Sequence, residues 1–235
     1  VATSGVAGQD LGMDATATLD GGVVTVGARD AGKGLQGLVE RRSASGSVKW
    51  SMTLSEGPAP AQLEAVQVVG NEVWAVGSAS VAGSAGWFVR LDLDTGKVLA
   101  SKLSLPGGKA AQFHGIAGNT LVGSAIGPDG SQDAWLVRVQ ADGSLGGDLM
   151  VGGGGADAFW DVVLAADGKT AIAVGSDVDA QGVEHALVVK VKPNTVDAAQ
   201  AAQLRSALAG RKLDMQEPTP GSWKIVPAPV AGGKS

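Results

Sequence analysis

The sequence predicts an all-β fold in which one four-stranded unit is repeated four times around an axis, and three observations predict it. An apolar segment ending in glycine recurs as Val23–Gly27, Val73–Gly77, Thr120–Gly123 and Ala171–Gly175, with the glycines 50, 46 and 52 residues apart. A second apolar segment ending in a base follows each of these, as Leu38–Arg41, Trp87–Arg90, Trp135–Arg138 and Leu187–Lys190, with the bases 49, 48 and 52 apart. The runs are short, about four to seven residues, and are bounded by Gly, Asn, Asp and Ser, which supply the backbone conformations that tight hairpins demand.

Each unit opens on a further strand: Asp14–Leu19, Leu63–Val69, Phe113–Ala117 and Phe159–Leu164. Ala61-Gln62-Leu63 and Ala111-Gln112-Phe113 match almost letter for letter, 50 residues apart. After the base-ended strand come turns at Ser45–Ser47, Asp94–Lys97 and Ala141–Ser144, then a last apolar run such as Val48–Leu54 or Val98–Leu103. The repeat region, 1–196, divides at about 5–58, 59–108, 109–151 and 152–196. A small meander sheet cannot bury both of its faces alone, and radial stacking of such sheets solves that problem, so the expected architecture is a β-propeller. Ala15, Ala65, Gly115 and the glycines Gly27, Gly77 and Gly175 suit narrow places where blades converge, while Trp74, Trp87 and Trp135 have the bulk to fill gaps between blades.

The pattern changes after the fourth unit. Asp197–Gly210 is alanine-rich with a capping Asp, Leu204 and Leu208 on one face and a terminal Gly, which predicts a helix. Gly221–Val226 echoes Gly46–Trp50, so 197–235 is expected to be a helix followed by the closing strand of the fourth blade and a Pro/Gly-rich tail. The expected fold is therefore about four four-stranded blades, with one C-terminal helix inserted before the last strand. Such a chain either closes on itself or forms a partial ring completed by another chain or by further sequence of the same protein; closure is preferred, because the tail completes a repeat rather than beginning one.

Composition narrows the function. The chain has 235 residues, 37 of them Gly and none Cys, so disulfides, thiolate metal sites and cysteine nucleophiles are excluded. A net charge of −5 removes the general electrostatic basis for gripping phosphate backbones, and no nucleic-acid partner is expected. The longest stretches without Asp, Glu, Lys or Arg, Val73–Val89 and Ala110–Pro128, are interrupted by Gly, Asn119 and Pro128, so no membrane-spanning segment is expected.

Gly152-Gly153-Gly154-Gly155-Ala156-Asp157-Ala158, followed by Asp167-Gly168 and Ala171–Gly175, resembles the bacterial SBBP-type β-propeller repeat, as does Trp87–Asp92 before Thr95-Gly96-Lys97. The resemblance covers about residues 5 to 192, with Gln140 in place of an expected Asp and a shortened first hairpin in the third repeat. It implies a secreted or envelope-associated bacterial protein, periplasmic or extracellular, of a kind commonly without an enzymatic role. Leu91–Leu99 is also similar to quinoprotein propeller repeats, although the tryptophan expected after that turn stands only at Trp50.

Little in the sequence carries chemistry. With His114 and His185 the only histidines, a multi-histidine metal centre within one chain is excluded and a Ser-His-Asp site is unsupported; both are read as structural. No Lys-Ser or helix start follows Gly152–Gly155, so that run reads as an interblade linker rather than a phosphate cradle. Asp14, Glu64, His114 and Asp161 fall at matching points of the opening strands, 50, 50 and 47 residues apart. Converging on a central channel they would suit calcium or another divalent cation; otherwise they hydrate the channel mouth. Asp177–Glu184 lacks calcium-loop spacing and reads as a solvated hairpin. Arg41, Arg90, Arg138 and Lys190 form either a basic ring for an anionic partner or four solvent-facing positions on equivalent strands.

The expected function is non-catalytic, with no catalytic residue and no cofactor: a protein-binding or structural subunit in a larger complex. The alternatives are a ligand-binding or quinoprotein-like enzyme using the channel, and a carbohydrate-binding propeller using Trp87 or Trp135, whose register however predicts burial.

Overall fold

The computed structural model describes residues 10–191 other than 31, 33, 58, 59 and 82. The first sheet is β1 (Asp10–Ala17), β2 (Val23–Asp30), β3 (Leu35–Arg42) and β4 (Val48–Leu54). The second is β5 (Ala61–Val69), β6 (Glu72–Ala79), β7 (Ala85–Asp92) and β8 (Val98–Ser104). The third is β9 (Ala111–Ala117), β10 (Thr120–Ile126), β11 (Gln132–Val139) and β12 (Leu145–Val151). The fourth holds β13 (Ala158–Leu164), β14 (Ala171–Val178) and β15 (Glu184–Val191). Every sheet is an antiparallel meander whose strands lie side by side in chain order.

Two expectations are corrected here. Among the described residues the blades number three of four strands and one of three, and there is no α-helix, only a 3₁₀ turn at Pro106–Gly108. The helix expected at 197–210 and the closing strand expected at 221–226 lie outside the described residues. The opening strand of the first blade begins at Asp10 rather than Asp14, and Leu19, expected within it, is fully exposed in the turn that follows. There Gly21, at φ 77°, turns the chain back into β2.

The blades stack face to face in sequence. β1 packs on β5, β5 on β9 and β9 on β13, so the opening strands run along the inner side of the stack. Among the described residues the first and fourth sheets make no extensive packing contact with each other.

The core lies between blades and not within them. Val26 and Val39 of the first blade meet Leu63, Trp87 and Val89 of the second. Val76 and Phe88 of the second meet Phe113 and Trp135 of the third, and Val122 and Leu136 of the third meet Phe159 and Leu187 of the fourth. Each four-residue row thus becomes dry only when the next blade arrives, which is why the unit is repeated at all.

Small and large residues alternate across these seams. A Cβ on Gly37 would stand 2.8 Å from Trp87, and one on Gly86 would stand 3.0 Å from Trp135 and 2.9 Å from Phe113. Trp135 stacks on Phe113, with centroids 4.5 Å apart and rings 13° from parallel. Trp87 and Trp135 are buried between blades, as their register predicts, and are closed to a sugar.

The repeated glycines have a different cause from the one expected. In each opening strand one residue is extra, bulged between Gly12 and Asp14, Leu63 and Ala65, Phe113 and Gly115, and Phe159 and Asp161. The bulge swings a carbonyl toward the next strand. A Cβ on Gly27, Gly77, Gly123 or Gly175 would meet that carbonyl oxygen at 1.8, 2.0, 2.0 and 1.9 Å. The glycines answer the bulge within their own blade, not the crowding of neighbouring blades.

Candidate functional site

The pairing register of the inner strands separates the four residues aligned in the sequence. Met13, Glu64, His114 and Trp160 occupy the bulged position, whereas Asp14, Ala65, Gly115 and Asp161 occupy the position after it. Asp14, Glu64, His114 and Asp161 therefore belong to two structural rows and do not converge as one ring. Among the described residues no three His, Asp or Glu side chains stand together in a way that would hold a metal ion.

The structure does bring Glu64 and His114 together. His114 Nδ1 lies 2.6 Å from Glu64 Oε2, and Gln62 Nε2 donates to Glu64 Oε1 at 2.7 Å. The His114 ring, nine-tenths buried, lies against the indole of Trp160, with centroids 4.9 Å apart. The bulged residues thus touch in succession along the inner side, from the second blade to the fourth.

Asp14 ties blades instead. Its Oδ1 accepts from Ala15 N at 2.7 Å, and its Oδ2 accepts from Val66 N of the second blade at 2.9 Å. Asp161 repeats the first half of this arrangement, accepting from Val162 N at 2.7 Å, but among the described residues no backbone N–H of a further blade meets its other oxygen. Between the second and third blades the tie is Gln67, which accepts from Gly118 N at 2.9 Å and donates to Gly118 O at 2.5 Å.

The four repeated bases follow neither reading of the sequence. Arg41 is buried, and its guanidinium donates to Leu93 O at 2.6 Å, Asp94 Oδ1 at 2.8 Å and Asp20 Oδ2 at 2.9 Å, joining the first blade to a turn of the second. Arg90 forms a two-pronged pair with Glu72, at 2.8 and 2.7 Å, and lies over the Trp74 ring. Glu72 is thereby held below its usual carboxyl range, first by the bond from Arg90. Arg138 is buried and donates to Asn119 Oδ1 at 3.1 Å; burial pulls its pKa down. Lys190 alone is exposed; among the described residues no sheet packs on its row.

Gly152–Gly155 connects β12 to β13. A Cβ on Gly152 would stand 2.4 Å from Asp157 Oδ2 and 2.6 Å from Asp133 Oδ1, and one on Gly155 would stand 2.1 Å from Val178 O. Asp157 is fully buried; it accepts from Gly153 N at 2.8 Å and Val178 N at 2.7 Å, and burial pushes its carboxyl pKa up. Asp177–Glu184 forms the β14–β15 hairpin, in which Asp179 Oδ1 accepts from Gln181 N and Val183 N. His185 sits at its base, 3.3 Å from Asp179.

What sequence reasoning missed is the far face of the fourth blade. Val174 is the repeat equivalent of Val26, Val76 and Val122, since each pairs with the residue after the bulge. The other three are at most 1% exposed, whereas Val174 is 40% exposed and Val163, on the same face, is 53% exposed. Trp160, 52% exposed, stands at the inner edge of that face, its Nε1 donating to Ser176 Oγ at 3.1 Å. No local signal marks Val174, because the same letter is buried at Val26, Val76 and Val122 in the other blades.

Among the described residues no helix is long and apolar enough to cross a membrane. No known family model matches the chain, and no curated protein matches it in sequence. Among solved structures it is similar to a neuraminidase-like protein from A/bat/Guatemala/164/2009, at 13% identity and TM-score 0.48, over 78% of this chain and 55% of that one. It is also similar to a subtype N10 neuraminidase-like protein of A/little yellow-shouldered bat/Guatemala/060/2010, at 15% identity and TM-score 0.47, over 77% and 62%. The β-propeller domain of the Trilobed protease from Pyrococcus furiosus matches at 11% identity and TM-score 0.33, over 80% and 69%. The chain spans 55–62% of the length of the two neuraminidase-like chains. These neighbours are β-propeller proteins, and the likeness is one of fold alone.

Proposed function

We propose that this chain is a non-catalytic β-propeller module that works by binding protein, as a structural or docking subunit of a bacterial envelope or extracellular assembly. The observation that supports this reading is the apolar far face of the fourth blade. Val163, Ile172, Val174 and Val188 lie on one side of a three-stranded sheet, and the equivalents of the last three, Thr120, Val122 and Leu136, are fully buried against the next blade. A row built to be covered, yet open to water, has its natural ligand in another protein surface.

The test is co-purification of the native chain from its source followed by identification of what stays bound. A defined protein retained by the wild type and released by Val174→Lys supports the reading. A solitary wild-type chain in the native extract counts against it.

A further inference from the structure

We infer that the partner at this face is a second copy of the chain, bound through the same face to give a two-fold symmetric dimer. The inference rests on the protein-binding reading above and names the partner for it.

The argument begins with how blades meet. Across each of the three seams a small residue at the start of the third strand faces a large one from the next blade: Gly37 faces Trp87, Gly86 faces Trp135, and Ala134 stands in the same cluster as Leu187. In the fourth blade that small position is Ala186, and it is exposed. The face thus carries a small exposed residue, Ala186, on β15, and a half-exposed indole, Trp160, that rises from β13 at the opposite edge and reaches Ser176 Oγ on β14. Trp160 is held ready by Ser176 Oγ and by the His114 ring, so little freedom is lost when it is covered.

The charges are arranged in the same way. Asp161, on β13, has one oxygen committed to Val162 N, and its other oxygen lacks the bond that Asp14 makes to a neighbouring blade. Lys190, on β15, is exposed where Arg41 and Arg138 are buried against a following blade or turn. Large and small residue, and carboxylate and ammonium, therefore lie on opposite edge strands of one sheet, on either side of β14.

Rotation by a half turn about a line parallel to β14 lays β13 of one copy over β15 of the other. That operation brings Trp160 over the partner copy's Ala186 and Asp161 toward the ammonium at Lys190, twice per dimer, with the Val174 rows closing the centre. The face is self-complementary, which is the requirement of an isologous interface. A buried aromatic anchor flanked by a charge pair supplies both affinity and register.

Sedimentation of the whole chain over a wide concentration range tests this. A reversible monomer–dimer equilibrium is expected, weakened about tenfold or more by Val174→Lys. Ala186→Trp fills the small position and blocks dimerisation while the chain's own packing, to which the exposed Ala186 adds little, is retained. Asp161→Lys and Lys190→Asp each weaken the dimer, and the double variant restores it. A chain that is monomeric at every concentration overturns the inference, as does a dimer that all four substitutions leave unchanged or charge reversals that show no mutual rescue. A monomeric chain that still retains a different, defined protein at Val174 overturns only the second-copy inference; loss of the protein-binding reading requires that no partner be retained at all.

Discussion

The indole of Trp87 occupies the space above Gly37: a Cβ on that glycine would stand 2.8 Å from Cζ3 of the ring and 3.1 Å from Leu63 Cγ. This contact joins the first blade to the second. Its indole N–H is satisfied by Ser101 Oγ at 2.8 Å, so the ring is anchored at both ends. Trp87→Ala leaves a cavity at the seam and is expected to cost about 4 kcal/mol, whereas Gly37→Ala overfills it and costs about 2 kcal/mol. Urea unfolding of both variants checks the pair, and a larger loss from Gly37→Ala than from Trp87→Ala would contradict the account.

The bulge explanation of the repeated glycines makes a sharper contrast. Gly77→Ala drives a methyl onto the Gln62 carbonyl, 2.0 Å away, and backbone cannot swing aside as a side-chain end does. A loss of about 3 kcal/mol is expected. Gly153→Ala meets nothing within 4 Å and should change stability by less than about 0.5 kcal/mol. Thermal unfolding of the two variants side by side decides it.

Arg41 offers a test of the interblade ties. Its removal as Arg41→Met keeps much of the packing but deletes bonds to Leu93 O, Asp94 and Asp20. Asp94 and Asp20, 67% and 41% exposed, recover water, and Leu93 O keeps its bond from Trp50 Nε1 at 2.9 Å. The expected loss is therefore about 2 kcal/mol, below that for a fully buried pair. The same change at Lys190, which is exposed and acts on the exposed Asp167 through its charge, should have little effect in a monomer unfolding measurement.

Glu72 gives a pH dependence of defined sign. Arg90, and after it Trp74 Nε1, favour the ionised carboxylate and hold its folded pKa below the usual 4.5. A group with a depressed folded pKa stabilises the fold fully above its unfolded value and loses that contribution as pH falls through the folded one. Wild type should thus exceed Glu72→Gln in melting temperature at pH 7, and the gap should narrow from about pH 4.5 downward. A gap that widens on acidification would refute the pairing.

Much of the architecture was readable in the chain. The spacing of Gly27, Gly77, Gly123 and Gly175 marked four equivalent strands, and the structure places all four opposite the same bulge. Hairpin turns were legible because Gly46, Gly96 and Gly143, at φ 85°, 73° and 78°, adopt a conformation that side chains disfavour. The bulge itself was not legible: one inserted residue leaves composition unchanged but flips every later side chain to the other face. Asp14 and Asp161 were aligned with Glu64 and His114 on near-equal chain spacing, but the bulged positions recur at 51, 50 and 46 residues, which puts the two aspartates one position further along the strand.

Local letters determined where strands begin, turn and repeat, since backbone preference and apolar period act over a few residues. Which side of each strand meets a neighbour was decided only by tertiary packing. Arg41 became a buried tie because a second blade follows it, and Lys190, in the same row, stays in water where the described blades end. Val174 and Val122 are the same residue in the same setting until the next sheet is placed, and burial is a property of that sheet's presence rather than of the residue.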